Sequence, residues 1–348
     1  MVLPASLLNQ HSLTRLGTGF GFMVKKINCL NVLRKIALEE HFNAPALFGK
    51  LPDLFSPEVL RAIEERLPEF NEQRLQSMDA AGIEISVLSQ TAPGVQRLSD
   101  PQEAVEAAQS SNDFLARQIS LHPSRYRGFA CLPLQDPQAS VLELERCVKE
   151  FGFVGALVNG HTGGHYLDAP EFSPLWAMLE RLQVPLYLHP VEPYILPHVF
   201  EGQPALDGAV WSWTCETSSH ALRLVVGGVF ERHPTAKLIL GHMGETLPFH
   251  LWRLDSRVGI LPFNRRPARP PSEVIRENVW ITTSGVCSDA ALLCSLGELG
   301  DDRVMFSTDY PYELSDIACK WIEAAPLDEA TRTKVCWQNA AGLLKISA

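Results

Sequence analysis

The chain has 348 residues, is 46% hydrophobic and 20% charged, and carries a formal net charge of −10. That balance is globular, it opposes a nucleic-acid surface, and no apolar run approaches the ~18–20 residues of a membrane span. A small anionic ligand would need local positive charge, supplied by a metal ion or an arginine.

The first 34 residues hold Arg15, Lys25, Lys26 and Arg34 but no Asp or Glu. They read as an N-terminal extension without stable order, with a mitochondrial presequence as the alternative. No apolar core with a small-residue cleavage site follows, so a secretory signal is not indicated. Eight cysteines without a CxxC pair fit a reducing compartment, the cytoplasm. Cys287 is the one thiol near a strand end, and it reads as a small apolar residue rather than a nucleophile.

From residue 35 onward, short apolar runs bounded by Pro, Gly or charge recur. They predict strands at 35–42 (KIALEEHF), 84–91, 126–134, 153–159, 185–190, 236–244, 279–284 and 303–311. Helical periodicity lies between them, over 101–121 with Val105, Ala108, Phe114, Leu115 and Ile119, and over 137–150 with Leu142, Leu144 and Val148. Alternation of strand and helix implies a parallel sheet with crossover helices. Eight such units predict an α/β fold, a (β/α)8 TIM-type barrel, with residues 35–348 as a single catalytic domain.

Polar residues recur at the downstream ends of these strands: Glu39 and His41 in the first, His189 in the fifth, Asp309 in the eighth. Barrel enzymes draw their reacting groups from those ends. Glu39 and His41, two apart on a strand, share a face, and Glu40 points the other way, toward the helices. The four form a mixed nitrogen and oxygen set suited to Zn²⁺ or Mn²⁺, with Mg²⁺ also admitted and no organic cofactor needed. A lone His or Asp near a strand end also fits a helix cap or a turn; four at equivalent ends do not share that reading. The sixth run adds GHMGE, where Glu245 can orient His242 or shuttle its proton and the glycines suit a close approach of backbone to substrate. Beyond it, Arg253 in LWRLDSR can meet a carboxylate or make a surface salt bridge.

These residues sit in consecutive motifs: KIALEEHF, PLQDP, GFVGALVNG, YLHP, LGHMGE, ITTSG and FSTDYPYE. In that order they resemble the metal-dependent hydroxybenzoate decarboxylases of the amidohydrolase superfamily, of the γ-resorcylate and 2,3-dihydroxybenzoate type. The resemblance runs from about residue 35 to the C-terminus. It implies an amidohydrolase-like barrel, Glu39, His41, His189 and Asp309 as metal ligands, and a relay of His242 and Glu245 to Asp309. Asn159, placed among the substrate-binding residues with Arg253, stands where binuclear relatives carry a carboxylated lysine, which implies a single divalent ion. The implied reaction is non-oxidative decarboxylation of a 2-hydroxybenzoate, of dihydroxybenzoate or orsellinate type, with Asp309 protonating the ring. A hydrolase or hydratase of the same superfamily is the alternative.

The loops 160–170 and 191–202 are expected to wall the pocket, with His161, His165 and His198 locally hydrogen-bonded rather than catalytic. The expected partners are a small aromatic acid and further copies of the chain, as a homodimer or homotetramer, with no nucleic acid or membrane. The resemblance suggests the assembly, and so do Trp211, Trp213 and Trp252 if they are exposed.

Overall fold

Strand β1 (Lys35–Phe42) is buried along its whole length, as a parallel strand covered on both faces must be. It is followed by β2 (Ile83–Gln90), β3 (Tyr126–Cys131), β4 (Gly155–Asn159), β5 (Leu186–His189), β6 (Leu238–Leu240), β7 (Val279–Thr282) and β8 (Val304–Met305). Neighbours in sequence pair in parallel from β1 through β8, giving the nearly closed (β/α)8 barrel expected. The structure, a computed structural model, describes residues 33–47 and 54–347. The extension read at 1–34 lies outside them but for Leu33 and Arg34. Among the described residues, no helix is long and apolar enough to cross a membrane.

Residues that alternate along the strands fill the barrel: Ile36, Leu38, Ile85, Val87, Phe129, Leu157, Tyr187, Ile239 and Met305 pack with Trp337 and Leu343 of the C-terminal segment. Their outward neighbours, among them Ala37, Leu88, Val158 and Leu240, pack against helical Leu115, Leu144, Leu224 and Leu251. The helices begin where the chain provides caps. The Asp100 carboxylate accepts from Gln102 N and Glu103 N ahead of helix Pro101–Leu121, and Asp136 accepts from Ala139 N ahead of Pro137–Phe151. The second ends on Gly152 at φ +69°, the left-handed cap that glycine adopts without strain.

Two strands are shorter than the apolar pattern predicts. The run 236–244 yields only Leu238–Leu240, because Gly241 leads into a left-handed turn. The run 303–311 yields Val304–Met305, because the residues after it bond elsewhere: Phe306 N to Val335 O (2.9 Å) and Ser307 N to Thr283 Oγ1 (3.1 Å). Between β8 and β1 the barrel therefore closes through single contacts: an isolated bridge from Glu40 to Tyr310, His41 N donating to Tyr310 O (2.7 Å), and side chains of Ser307 and Thr308.

Candidate metal centre

Strand β1 slips register between Ala37 and Glu40, where Leu38 and Glu39 together stand opposite Val87 alone. Such a bulge re-aims the side chains beyond it. Ile36 and Leu38 fill the barrel below the slip, and above it Glu39 and His41 take the inward face, both fully buried. The Ser307 hydroxyl pins the bulge, accepting from both Leu38 N (3.1 Å) and Glu39 N (2.6 Å).

At the rim of the barrel, Glu39, His41, His189 and Asp309 each present one ligand-type atom, all within 4.8 Å of one another. Glu39 Oε1 lies 3.3 Å from His189 Nε2, and Asp309 Oδ1 lies 3.3 Å from His41 Nε2. Glu39 Oε1 and His41 Nε2 are buried and have no hydrogen-bond partner among the described residues. The opposite atoms of the same side chains are fully engaged. Glu39 Oε2 accepts from Tyr187 Oη (2.5 Å) and from the Ser284 hydroxyl, and Thr282 Oγ1 stands at 3.5 Å. His41 Nδ1 meets Ser89 Oγ at 3.2 Å. His189 Nδ1 donates to Pro190 O (3.0 Å), and since a carbonyl only accepts, the Nε2 lone pair is left facing the cluster. Outer partners that fix tautomer and carboxylate orientation, with the inner atoms unpaired, are what a cation held by two imidazoles and two carboxylates requires. The donor set fits one divalent ion.

The electrostatics agree. Burial raises the Glu39 carboxyl, against the pull of His242. Burial, and then the charges of His41 and His242, keep His189 well below its ordinary value, so it stays neutral. For Asp309, burial is outweighed by the imidazoles of His242 and His41 beside it, which hold it below the usual carboxylate range. His242 runs the other way: burial opposes its charge, but Glu39, Glu245 and Asp309 lift it well above the ordinary imidazole value.

His242 lies beside the cluster, its Nε2 3.6 Å from Asp309 Oδ2 and 3.7 Å from Glu39 Oε1. Its Nδ1 is 2.8 Å from Glu245 Oε1, and Glu245 Oε2 accepts from Thr214 Oγ1 (2.8 Å). This turn is left-handed throughout, with φ of +46° at His242, +57° at Met243, +75° at Gly244, +52° at Glu245 and +67° at Thr246. Left-handed backbone costs a residue with a side chain roughly 1–2 kcal/mol, and such strain gathers at functional sites. The glycines do not approach an open substrate space as expected. A Cβ at Gly241 would fall 2.5 Å from Glu39 Oε2, and one at Gly244 would fall 2.9 Å from Ile281 Cγ2. Gly241 thus lets the sixth strand close on the Glu39 carboxylate.

His242 and Asp309 form the floor of a cavity of about 750 Å³. Its walls are mainly apolar: Trp211, Trp213, Phe249, Val286, Ala290 and Ala291. A Cβ at Gly285 would stand 3.3 Å from His242 Cδ2 and 3.6 Å from Asp309 Oδ2, so glycine keeps the space beside the acid open.

An amidohydrolase family profile matches residues 41–346, most of the chain. The chain belongs to the amidohydrolase family. It is 43% identical over 328 residues to a γ-resorcylate decarboxylase of Polaromonas sp., covering 90% of this chain and 99% of the relative. A crystal structure of 2,6-dihydroxybenzoate decarboxylase complexed with 2,6-dihydroxybenzoate superposes on this amidohydrolase with a TM-score of 0.86 at 42% identity, covering 90% of this chain and 99% of the other. A dihydroxybenzoic acid decarboxylase of Polaromonas sp., with bound manganese and the inhibitor 2-nitroresorcinol, gives 0.86 at 42% identity, covering 90% of this chain and 97% of that one.

The structure thus brings together Glu39, His41, His189, Asp309, His242 and Glu245, but not Arg253. Helix Leu247–Val258 buries Leu247, Pro248 and Leu251, and Arg253, two residues beyond Leu251, falls on the opposite, exposed side, outside the cavity lining. Asn159 is buried level with His189 at the end of β4, also outside the lining. Nor do the loops 160–170 and 191–202 line this cavity. Leu167 N donates to His220 Nε2 (2.9 Å) and Tyr166 Oη to Glu216 (2.7 Å), which folds the first loop onto helix Ser212–Val226; Glu192 ties the second to Gly208 and Ser212. Their histidines are locally bonded as expected: His161 to Glu192 O, His165 to Glu171, His198 to Glu201. Trp211 and Trp252 are exposed, whereas Trp213 is half-buried against the cavity. The groups missed by sequence reasoning are the hydroxyls around Glu39 and His41, and Glu40. Glu40 faces away from the centre but is buried, accepts from Ser307 and Thr308, and burial pushes its carboxyl up to about 7. The recurrence of Ser and Thr at the strand ends, in SQT, TTSG and FSTD, is the signal that could have found the hydroxyls.

Proposed function

We propose that the chain is a carboxy-lyase that removes CO₂ without oxidation from a 2-hydroxybenzoate, of dihydroxybenzoate or orsellinate type, to give the phenol. The observation that carries this reading is the position of Asp309. It faces the ligand cluster through Oδ1, His242 through Oδ2, and the cavity. The relatives named as decarboxylases support the same reaction over hydrolysis or hydration.

Glu39, His41, His189 and Asp309 would hold the ion. When bound, a divalent cation supplies the positive charge that draws in the substrate's carboxylate and ortho-hydroxyl oxygens and lowers the phenol pKa. The protein's own groups handle the proton. The downward shift of Asp309 and the upward shift of His242 favour the mobile proton on His242 Nε2. Its transfer to Asp309 Oδ2 makes Asp309 the acid that protonates the ring carbon bearing the carboxylate. Loss of CO₂ then restores the aromatic ring. Glu245, bonded to His242 Nδ1 and to Thr214, keeps the imidazole aimed at Asp309 and stabilises its charge.

The apolar walls support a substrate with an alkyl ring substituent as readily as one with a second hydroxyl. Exposed Phe249, Trp252 and Phe263 support self-association as a homodimer or homotetramer. The seven described cysteines, all free, support a reducing compartment, the cytoplasm.

The test is release of CO₂ and phenol from a panel containing 2,6-dihydroxybenzoate, 2,3-dihydroxybenzoate and orsellinate, using Mn²⁺-reconstituted protein. Asp309→Asn is expected to lower kcat by about 10²–10⁴-fold, and chelation to abolish release. Metal-loaded protein that releases nothing across the panel would return the weight to a hydrolase or hydratase.

A further inference from the structure

We propose that Glu40, whose carboxylate faces away from the centre, is a positioning residue that sets Asp309 and His41 for metal binding. Asp309 has φ +72°, a left-handed state that aspartate tolerates better than most residues but still adopts only occasionally. Both of its neighbours are bound to β1 and so hold it there. On one side, Thr308 donates to Glu40 through its backbone N (3.0 Å) and its hydroxyl (2.9 Å). On the other, Tyr310 O accepts from His41 N (2.7 Å).

Glu40 also receives the Ser307 hydroxyl (3.0 Å), the group whose oxygen accepts from Leu38 N and Glu39 N and so pins the β1 bulge. A single carboxylate thus links the bulge that turns Glu39 inward to the backbone that carries Asp309. Arg74 completes the frame: its Nη2 donates to His41 O (2.6 Å) and its guanidinium lies 4.7 Å from the Tyr310 ring centroid. Among the described residues no regular ladder joins β8 to β1, so this frame takes the place of strand pairing at the seam where His41 and Asp309 meet.

The inference rests on the four-residue metal centre, so the experiment separates the two. Apo protein is titrated with Mn²⁺ against a chromophoric chelator for the wild type, Glu40→Ala, Glu40→Gln and Thr308→Val, with circular dichroism and Tm recorded for each. Glu40→Ala is expected to keep the barrel's circular dichroism and weaken Mn²⁺ binding by about 10- to 100-fold. At saturating Mn²⁺ its kcat should fall while KM holds. Glu40→Gln, which can still accept from Thr308 N and Ser307, should restore affinity most of the way. Thr308→Val, which deletes only the hydroxyl bond, should weaken binding in the same direction by less, and it carries the test if Glu40→Ala does not fold. Wild-type Mn²⁺ affinity in Glu40→Ala or Thr308→Val overturns the proposal, because a purely structural role would lower Tm alone. Glu40→Gln as weak as Glu40→Ala also overturns it, since charge and not hydrogen bonding would then be required. If the wild type binds no Mn²⁺, the metal centre itself falls and the proposal with it.

Discussion

The two halves of the centre are built on opposite kinds of backbone. Glu39, His41 and His189 stand on extended strands, two of them just beyond a bulge, and their outer atoms are held by Tyr187, Ser284, Ser89 and Pro190. His242, Glu245 and Asp309 stand on left-handed backbone, with Gly285 clearing space beside His242 and Asp309. Strands fix ligands with little strain, because each side chain leaves a regular frame at a set angle. A left-handed turn instead folds the chain back on itself, so that residues three apart, His242 and Glu245, meet at 2.8 Å over the cavity floor. Three of the four candidate ligands use the inexpensive geometry, whereas Asp309 and the His242–Glu245 pair use the strained one.

If that division is right, damage to the turn should cost turnover more than metal. Glu245→Gln is expected to lower kcat by about 100-fold with Mn²⁺ affinity close to wild type; loss of the metal instead would erase the distinction. The converse change is Gly241→Ala, whose Cβ would intrude on Glu39 Oε2. It should weaken Mn²⁺ binding by about 10-fold, readable by the same chelator competition, and reduce activity only through occupancy.

Acid stability needs a control outside both halves. His220 is held neutral by burial and then by the charge of Arg223, its pKa lowered to about 3. Its folded value lies below its unfolded one, so its contribution is complete above about pH 6.5 and is lost as pH falls below that, by up to about 1.4 kcal/mol per pH unit. Urea unfolding at pH 7.5 and 5.5 should show His220→Leu losing less stability across that interval than the wild type; equal losses would assign the acid sensitivity to the centre. The smallest effect expected is a gain. Thr246→Gly relieves a β-branched residue at φ +67° and should raise unfolding free energy by about 1 kcal/mol while leaving Mn²⁺ affinity alone.

The same contrast explains what could be read in the sequence. The strand-borne ligands announced themselves, because an apolar run ending in a polar residue is a local pattern: KIALEEHF and PLYLHP place Glu39, His41 and His189 without further information. The β6 and β8 runs misled in length. HMGE and STDY keep the composition of a strand's end, while their conformations are set by contacts with Glu39, Ser284 and Glu40, far away in the chain. Glu40 was the clearest case. Alternation assigned it correctly to the outer side of β1, but no local rule reports that the outer side at the seam is buried and lined by hydroxyls. Arg253 shows the reverse error, a residue of suitable chemistry that its helix turns into solvent.

The seam between β8 and β1 also bears on the order of events during heating. Elsewhere in the barrel, neighbouring strands are joined by parallel ladders, and opening any one of them breaks several bonds at once. At the seam the join consists of the Glu40, Ser307, Thr308 and Tyr310 contacts, which can part as a local unit while the other strands stay paired. That opening separates Asp309 from Glu39 and His41. On heating, loss of turnover is therefore expected to precede loss of the barrel, and added Mn²⁺, which would bridge the two edges, is expected to delay both.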